Sequence, residues 1–377
     1  MPGNTRLEIR GEDFWINGEP TYRGRAWKGH RVEGQLMNIR CVNAIFDDLN
    51  PDTRDRWAYP DTGQWDPERN LNEFLQALPE FRRHGILAVT VNLQGGSPEG
   101  YCDIQPWINT AFTAYGELRP AYLDRLSRVL ERLDALGMAC IVSLYYFGQD
   151  ERLVDEDAIR NGVDKAVGWL LESGHTNLIL EINNECGIGS WHHEISLVRN
   201  HQPDVDPRLA GNRYEHEILR PDRVHELVAQ ARGLTRNGRR LPVATSYRGG
   251  MIPSERVLEV SDLVLLHGNG TPQPSGIADA VARVKAMKNW RPMPIVFNED
   301  DNTDFDKPVN DLIVAVQQHA SWGFYDPGEG ARGFHVRGNY RDGFQNVPIN
   351  WTINTERKRQ FFALMREITG GADGVSK

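Results

Sequence analysis

Asn177-Leu-Ile-Leu-Glu-Ile-Asn-Asn-Glu185 decides the fold. Its apolar start, Leu178 to Leu180, fits a buried strand, and the stretch closes on Asn183, Asn184 and Glu185. Burying a strand and ending it in such groups costs solvation unless the groups are used. The design recurs at Pro294-Ile-Val-Phe-Asn-Glu299, again apolar and again closing on Asn-Glu. The two glutamates lie far apart in the chain, so only tertiary structure brings them together. In a parallel α/β barrel, residues from different strands converge at the carboxyl ends of the strands.

Outward from these two stretches the chain keeps one rhythm. Phe74, Leu75, Leu78 and Phe81 recur at helical spacing and Gly85 stops the helix. A strand-like run over 87–93 follows, then a helix carrying Leu123, Leu126, Val129, Leu133 and Leu136, then a strand over 139–147 and a helix over about 155–173. Beyond Glu185 a helix near 221–233 precedes strands at 242–246 and 262–269, and a helix over about 275–288 leads into 295–299. A helix at 308–319 delivers the eighth strand at 320–325, and 354–369 closes the count. The first strand is expected at Tyr22-Arg-Gly-Arg-Ala-Trp27. Eight strands alternating with helices predict a (β/α)8 TIM barrel over residues 20–369 of one 377-residue domain. Asn17-Gly18 marks an N-terminal β-hairpin over 1–19, placed as a lid on the barrel's bottom, and 370–377 is a polar tail. Long irregular stretches at 28–69, 95–119 and 187–219 are expected as loops over the C-terminal mouth.

Composition narrows the function. A net charge of −9 with both signs interspersed offers no basic footprint for nucleic acid. No run of 18 apolar residues suggests a membrane span, and Met-Pro-Gly-Asn-Thr-Arg has no apolar signal core. Four cysteines without paired spacing read as free thiols. A cytoplasmic location is the simplest expectation, and nothing in the pattern gives an oligomeric state. Ten tryptophans are many, and Trp27, Trp57, Trp65, Trp107 and Trp191 fall in polar stretches where flat rings suit the apolar faces of sugars. A carbohydrate is therefore the expected partner.

Two carboxylates at a barrel mouth are the minimum apparatus for hydrolysing a glycosidic bond, one as acid/base and one as nucleophile. That chemistry needs no cofactor and no metal. The acidic run Asp300-Asp-Asn-Thr-Asp-Phe-Asp306, with Asp311 beyond, imitates a calcium loop, but its sixth position is Phe305 rather than glycine. A solvated acidic loop is the better reading. The His-Glu pairs at 193–194, 216–217 and 225–226 lack the second histidine of a zinc helix.

The placement of these residues resembles the clan A glycoside hydrolases, which include the family-five cellulases and mannanases. The resemblance implies that Asn184 and Glu185 end strand four, with Glu185 as acid/base, and that Glu299 is the strand-seven nucleophile of a retaining, two-glutamate mechanism. It implies a strand-eight aromatic under the sugar, matched by Trp322. An arginine low in the site is expected from Arg23 or Arg25. Where those enzymes carry His-x-Tyr after strand six, this chain reads His267-Gly268-Asn269, and Tyr247 is the candidate replacement for the missing tyrosine. Asn92, His267 and Asn269 at strand ends, with Trp27 and Trp65, complete the expected substrate contacts. A transglycosylase on the same site and a non-catalytic carbohydrate-binding barrel remain alternatives.

Overall fold

The computed structural model describes residues 3–99, 107–186, 216–328 and 342–371. Its central sheet has eight parallel strands: β1 (Asn38–Arg40), β2 (Ala88–Asn92), β3 (Ala139–Tyr146), β4 (Leu178–Asn184), β5 (Val243–Ala244), β6 (Val264–His267), β7 (Ile295–Asp300) and β8 (Ser321–Phe324). Ladders run from β1 through β2, β3 and β4 to β5, and from β1 through β8 and β7 to β6. The sheet thus wraps round on itself, and among the described residues only the neighbours β5 and β6 share no ladder. Across that seam the Gly250 amide donates to the His267 carbonyl at 3.4 Å. This is the expected (β/α)8 barrel, with helices between the strands.

Local chemistry explains the helices. Pro67–Arg83 starts at Asp66, whose side chain accepts from the amides of Glu68 and Arg69, and it buries Leu71, Phe74, Leu78 and Phe81. Asp155 caps Glu156–Glu172 and Thr355 caps Glu356–Thr369 in the same way. The last helix stops at Gly370, whose φ of 84° is a left-handed cap that glycine adopts without strain. Among the described residues, no helix is long and apolar enough to cross a membrane.

The first strand is not where the sequence placed it. Ala26–Trp27 pairs antiparallel with His30–Arg31 as a small ribbon, and β1 lies further on, inside the stretch expected to be loop. Lys28-Gly29 forms the ribbon's turn with both φ angles positive, a tight hairpin chemistry hidden in Trp-Lys-Gly-His. β1 itself has three residues, Asn-Ile-Arg, too short and too polar to signal a strand by periodicity.

The N-terminal hairpin is present, extended to a meander of Leu7–Arg10, Asp13–Ile16 and Glu19–Pro20. It sits at the bottom. The Leu7 amide donates to the Thr176 carbonyl just before β4, and the Tyr22 hydroxyl donates to the Gly85 carbonyl before β2.

Candidate active site

The strand ends bring Glu185 and Glu299 together, an oxygen of each lying within 4.8 Å of the other and of a His267 ring nitrogen. All three side chains are buried. Irregularities in the sheet aim them. The register shifts between Leu266 and His267 in β6 and between Phe297 and Asp300 in β7, so Asn298 and Glu299 both serve the barrel interior. Bulges of this kind re-aim side chains beside active sites. Glu185 has a φ of 54°, which for a non-glycine residue costs about 1 kcal/mol or more and is held only by its surroundings. Its amide donates to Ser246 Oγ at 3.2 Å.

Donors are distributed unequally between the two glutamates. Arg40 Nε lies 2.5 Å from Glu299 Oε2, and Asn269 Nδ2 donates to Oε1 at 2.8 Å. His267 Nδ1 sits 2.8 Å from Glu185 Oε1 and 3.6 Å from Glu299 Oε2. The Gly249 amide also donates to Glu185 Oε1, at 3.3 Å. Below them, Arg40 binds Asn184 Oδ1 and lies 3.8 Å from Glu181, whose Oε1 accepts from Asn298 at 3.2 Å.

The electrostatics follow from this crowding. Burial pushes the Glu299 carboxyl above the ordinary carboxylate range, Arg40 and then His267 pull it back, and the neighbouring Glu185 and Glu181 add to the push. Burial disfavours the charged imidazole of His267, but Glu299 and the bond to Glu185 outweigh it and raise its pKa above 6.5. Burial likewise opposes the charge on Arg40, and Glu299 and Glu181 more than compensate.

Glu185, His267 and Glu299 form a cluster of metal-ligating types. The Arg40 guanidinium already occupies the same corner as a fixed cation, which opposes a second positive charge there. The acidic run from Asp300 folds as successive turns: Asp300 Oδ1 accepts from the Asn302 amide, Asn302 Oδ1 from the Asp304 amide, and Asp304 pairs with Lys307.

Several expected contacts lie elsewhere. Arg25 donates to the carbonyls of Ile368 and Glu367, and Trp27 Nε1 to the Glu367 carboxylate, so both belong to the ribbon and the last helix. Arg23 pairs with Glu19 in the same N-terminal region. Arg40, on the true β1, is the arginine that reaches Glu299 and Asn184. Trp322 pairs in register with Phe297 on the outer face of the sheet, where it packs against Phe305, Phe324 and Phe361 and donates to Asp300 Oδ2 at 2.8 Å. A one-residue offset on a strand changes the face. Just past the strand comes Tyr325, which the charge of Glu299 reaches.

Tyr247 turns away, its hydroxyl bonded to the Pro221 carbonyl and Ser254. Trp65 Nε1 donates to Asp47, and its ring stacks on Tyr59 and abuts Phe46. Trp57 and Trp107 meet edge to face within the same packed cluster. These rings brace a loop and present no sugar platform. Trp191 and the His-Glu pair at 193–194 lie outside the described residues.

Other expectations coincide with the site. Asn92 is in register with Ser143, itself in register with Glu181, so it shares the inner face. Among the described residues, neither polar atom of its buried amide has a partner. Sequence reasoning missed Arg40, Glu181, Asn298, Tyr146 and Tyr325. Burial, then the charge of Glu299, holds the phenol of Tyr146 above its ordinary pKa, and Tyr325 responds to burial, Tyr146 and Glu299 in the same direction. The only sequence signal for the tyrosines was their place at strand ends, Leu144-Tyr-Tyr146 and Gly323-Phe-Tyr325.

No protein-family model and no curated protein sequence matches this chain. Solved structures do. A β-glucosidase from Thermotoga maritima in complex with deoxynojirimycin aligns with a TM-score of 0.52 at 12% identity, covering 90% of this chain and 99% of that one. A β-1,4-D-mannanase from Cryptopygus antarcticus aligns at 0.51 and 10% identity over 97% of each chain. A GH5-4 broad specificity endoglucanase from Clostridium longisporum aligns at 0.51 and 10% identity, over 89% of this chain and 97% of that one. At such identities the likeness is one of fold.

Proposed function

We propose that this chain is a retaining glycoside hydrolase acting on the O-glycosidic bonds of an oligo- or polysaccharide. The observation that carries the proposal is the separation of Glu185 and Glu299, with an oxygen of each within 4.8 Å of the other. Retaining enzymes hold their carboxyl groups about 5 Å apart, whereas inverting ones leave about 6.5–9.5 Å for a water. The β-glucosidase, mannanase and endoglucanase that share the fold support a carbohydrate substrate.

The unequal donors support one division of roles. Glu299, held by Arg40 and Asn269, is stabilised as a carboxylate and attacks the anomeric carbon. Glu185 accepts on Oε1 from His267 and Gly249, and among the described residues its Oε2 makes no hydrogen bond. Oε2 delivers a proton to the leaving oxygen, then takes one from the water that releases the sugar from Glu299. His267, touching one glutamate and near the other, spreads charge between them as their protonation alternates. Among the described residues the buried Nδ2 of Asn184 and Nε2 of His267 have no partner and are left for sugar hydroxyls, as is the amide of Asn92.

A panel of aryl glycosides, α and β, pyranosides and furanosides, tests the proposal against wild type, Glu185→Ala and Glu299→Ala. Turnover of one member by wild type, lost in Glu299→Ala, supports it. Sugar binding that survives both substitutions, with no turnover of the panel or of oligosaccharides, would replace it with a binding barrel.

A further inference from the structure

We propose that Glu181 is a positioning residue, holding from beneath the two groups that place Glu299, which are Arg40 and Asn298. It also supplies the third buried carboxyl of the barrel centre and so keeps one proton within the cluster. The inference rests on the reading of Glu185 as acid/base and Glu299 as nucleophile. Glu181 lies below Glu185 in β4 and is 0% exposed. Its Oε1 accepts from Asn298 Nδ2 at 3.2 Å, and its Oε2 lies 3.8 Å from Arg40 Nη1. Among the described residues neither Oε2 nor Nη1 forms a hydrogen bond, so charge alone joins them.

An asparagine precedes each of the two glutamates, and each asparagine is tied to one member of this pair. Asn184 Oδ1 accepts from Arg40 Nη2, and Asn298 donates to Glu181. The second tie holds the irregular end of β7, where the register shift between Phe297 and Asp300 brings Asn298 and Glu299 to the same interior. Arg40 in turn reaches Glu299 through Nε at 2.5 Å. The guanidinium is thus held at three places, by Glu299, Asn184 and Glu181, and β1, β4 and β7 are joined at one buried point.

Counting charges gives Glu181 its second role. Three buried carboxyl groups, Glu181, Glu185 and Glu299, share the barrel centre with Arg40 and His267. With both of those cations charged, two carboxylates are balanced, and the third carboxyl keeps a proton because an unbalanced buried charge is costly. The acid/base cycle needs that proton at its start. The remaining groups that face the cluster are Tyr146 from β3 and Tyr325 beyond β8, both held above the ordinary phenol range by burial first. β2 contributes Thr90 and Asn92 and β5 only Val243 and Ala244, none of which titrates. After burial, and against Arg40 and His267, the charges of Glu185 and Glu181 push the Glu299 carboxyl up.

Two substitutions separate the roles. Glu181→Gln removes the charge and keeps an oxygen for Asn298, whereas Glu181→Ala removes both. The pH dependence of kcat/KM is measured for wild type and both variants on the preferred glycoside. Without the third carboxyl the two cations balance Glu185 and Glu299, so the bell of Glu181→Gln is expected to move to lower pH by about one unit. Glu181→Ala is expected to move likewise and also to lose kcat at its optimum by about 10- to 100-fold relative to Glu181→Gln, with KM little changed, since a small misplacement of a reacting group costs that much. A bell in Glu181→Gln that coincides with that of wild type would overturn the charge role. Equal kcat in the two variants would overturn the positioning role. Carboxyl 13C NMR of glutamate-labelled protein gives a readout that needs no turnover, with the Glu299 signal identified by its loss in Glu299→Gln. That signal is expected to titrate at lower pH in Glu181→Gln than in wild type, and identical titrations would overturn the inference. If wild type turns over no glycoside, the functional reading fails on its own, and the carboxyl titration still decides whether Glu181 acts on Glu299.

Discussion

Arg40 Nε lies 2.5 Å from Glu299 Oε2, joining the first strand of the barrel to the seventh across its buried centre. The contact sets the charge of the proposed nucleophile. Replacing Arg40 by Met leaves a buried carboxylate without its cation and is expected to destabilise the fold by about 3–5 kcal/mol. The substitution also raises the Glu299 pKa further, so the acidic limb of the activity profile moves to higher pH. Denaturant unfolding and a pH–rate profile measure the two effects separately.

Asn269 donates to the other oxygen of Glu299, at 2.8 Å. Asn269→Ala is expected to lower kcat by about 10- to 100-fold and to leave KM nearly unchanged, since the donor steadies charge on the reacting group. Steady-state kinetics on the preferred glycoside check the split.

His267 contributes a pH-dependent term. Its pKa is raised in the fold, so its stabilisation is complete below about 6.5, the ordinary histidine value, and is lost as pH climbs above it. His267→Gln removes that term, and its melting temperature is expected to fall less than that of wild type between about pH 6.5 and about pH 8. Parallel melting curves for the two proteins would contradict the assignment.

Trp322 faces the outer packing, whereas Tyr325 lies close enough to Glu299 to feel its charge. Trp322→Leu is expected to cost about 3 kcal/mol or more in stability, through lost ring contacts and the lost bond to Asp300, with KM unaltered. Tyr325→Phe, by contrast, is expected to alter the kinetic constants while leaving stability close to wild type. Unfolding curves beside Michaelis–Menten data separate the two.

These contrasts mark how much was legible in the sequence. The strands leading to Glu185 and Glu299 are short apolar runs that break into polar residues, a pattern visible without coordinates. His267 and Asn269 were found because they close another such run. Arg40 was hidden because its strand is three residues long and follows a ribbon that imitates a strand. Trp322 was misassigned because a strand's residues alternate between faces, and the face is set by register, which Ala320–Tyr325 does not encode alone. The tryptophans of the loops lie in polar sequence, yet Trp57 is buried against Trp107 and Phe46, Trp65 against Phe46 and Tyr59, and the two donate to Asp48 and Asp47. Composition could not distinguish a ring that braces a loop from one that meets a ligand.

The most direct test is the capture of the glycosyl-enzyme intermediate. The sugar identified by the aryl panel is supplied as its 2-deoxy-2-fluoro glycoside with a good leaving group, which slows release of the enzyme-bound sugar. After digestion, mass spectrometry is expected to place the added sugar on the peptide containing Ile295–Asp300, with fragmentation assigning it to Glu299. A sugar carried by Glu185, or full turnover with no adduct on either glutamate, would contradict Glu299 as the nucleophile.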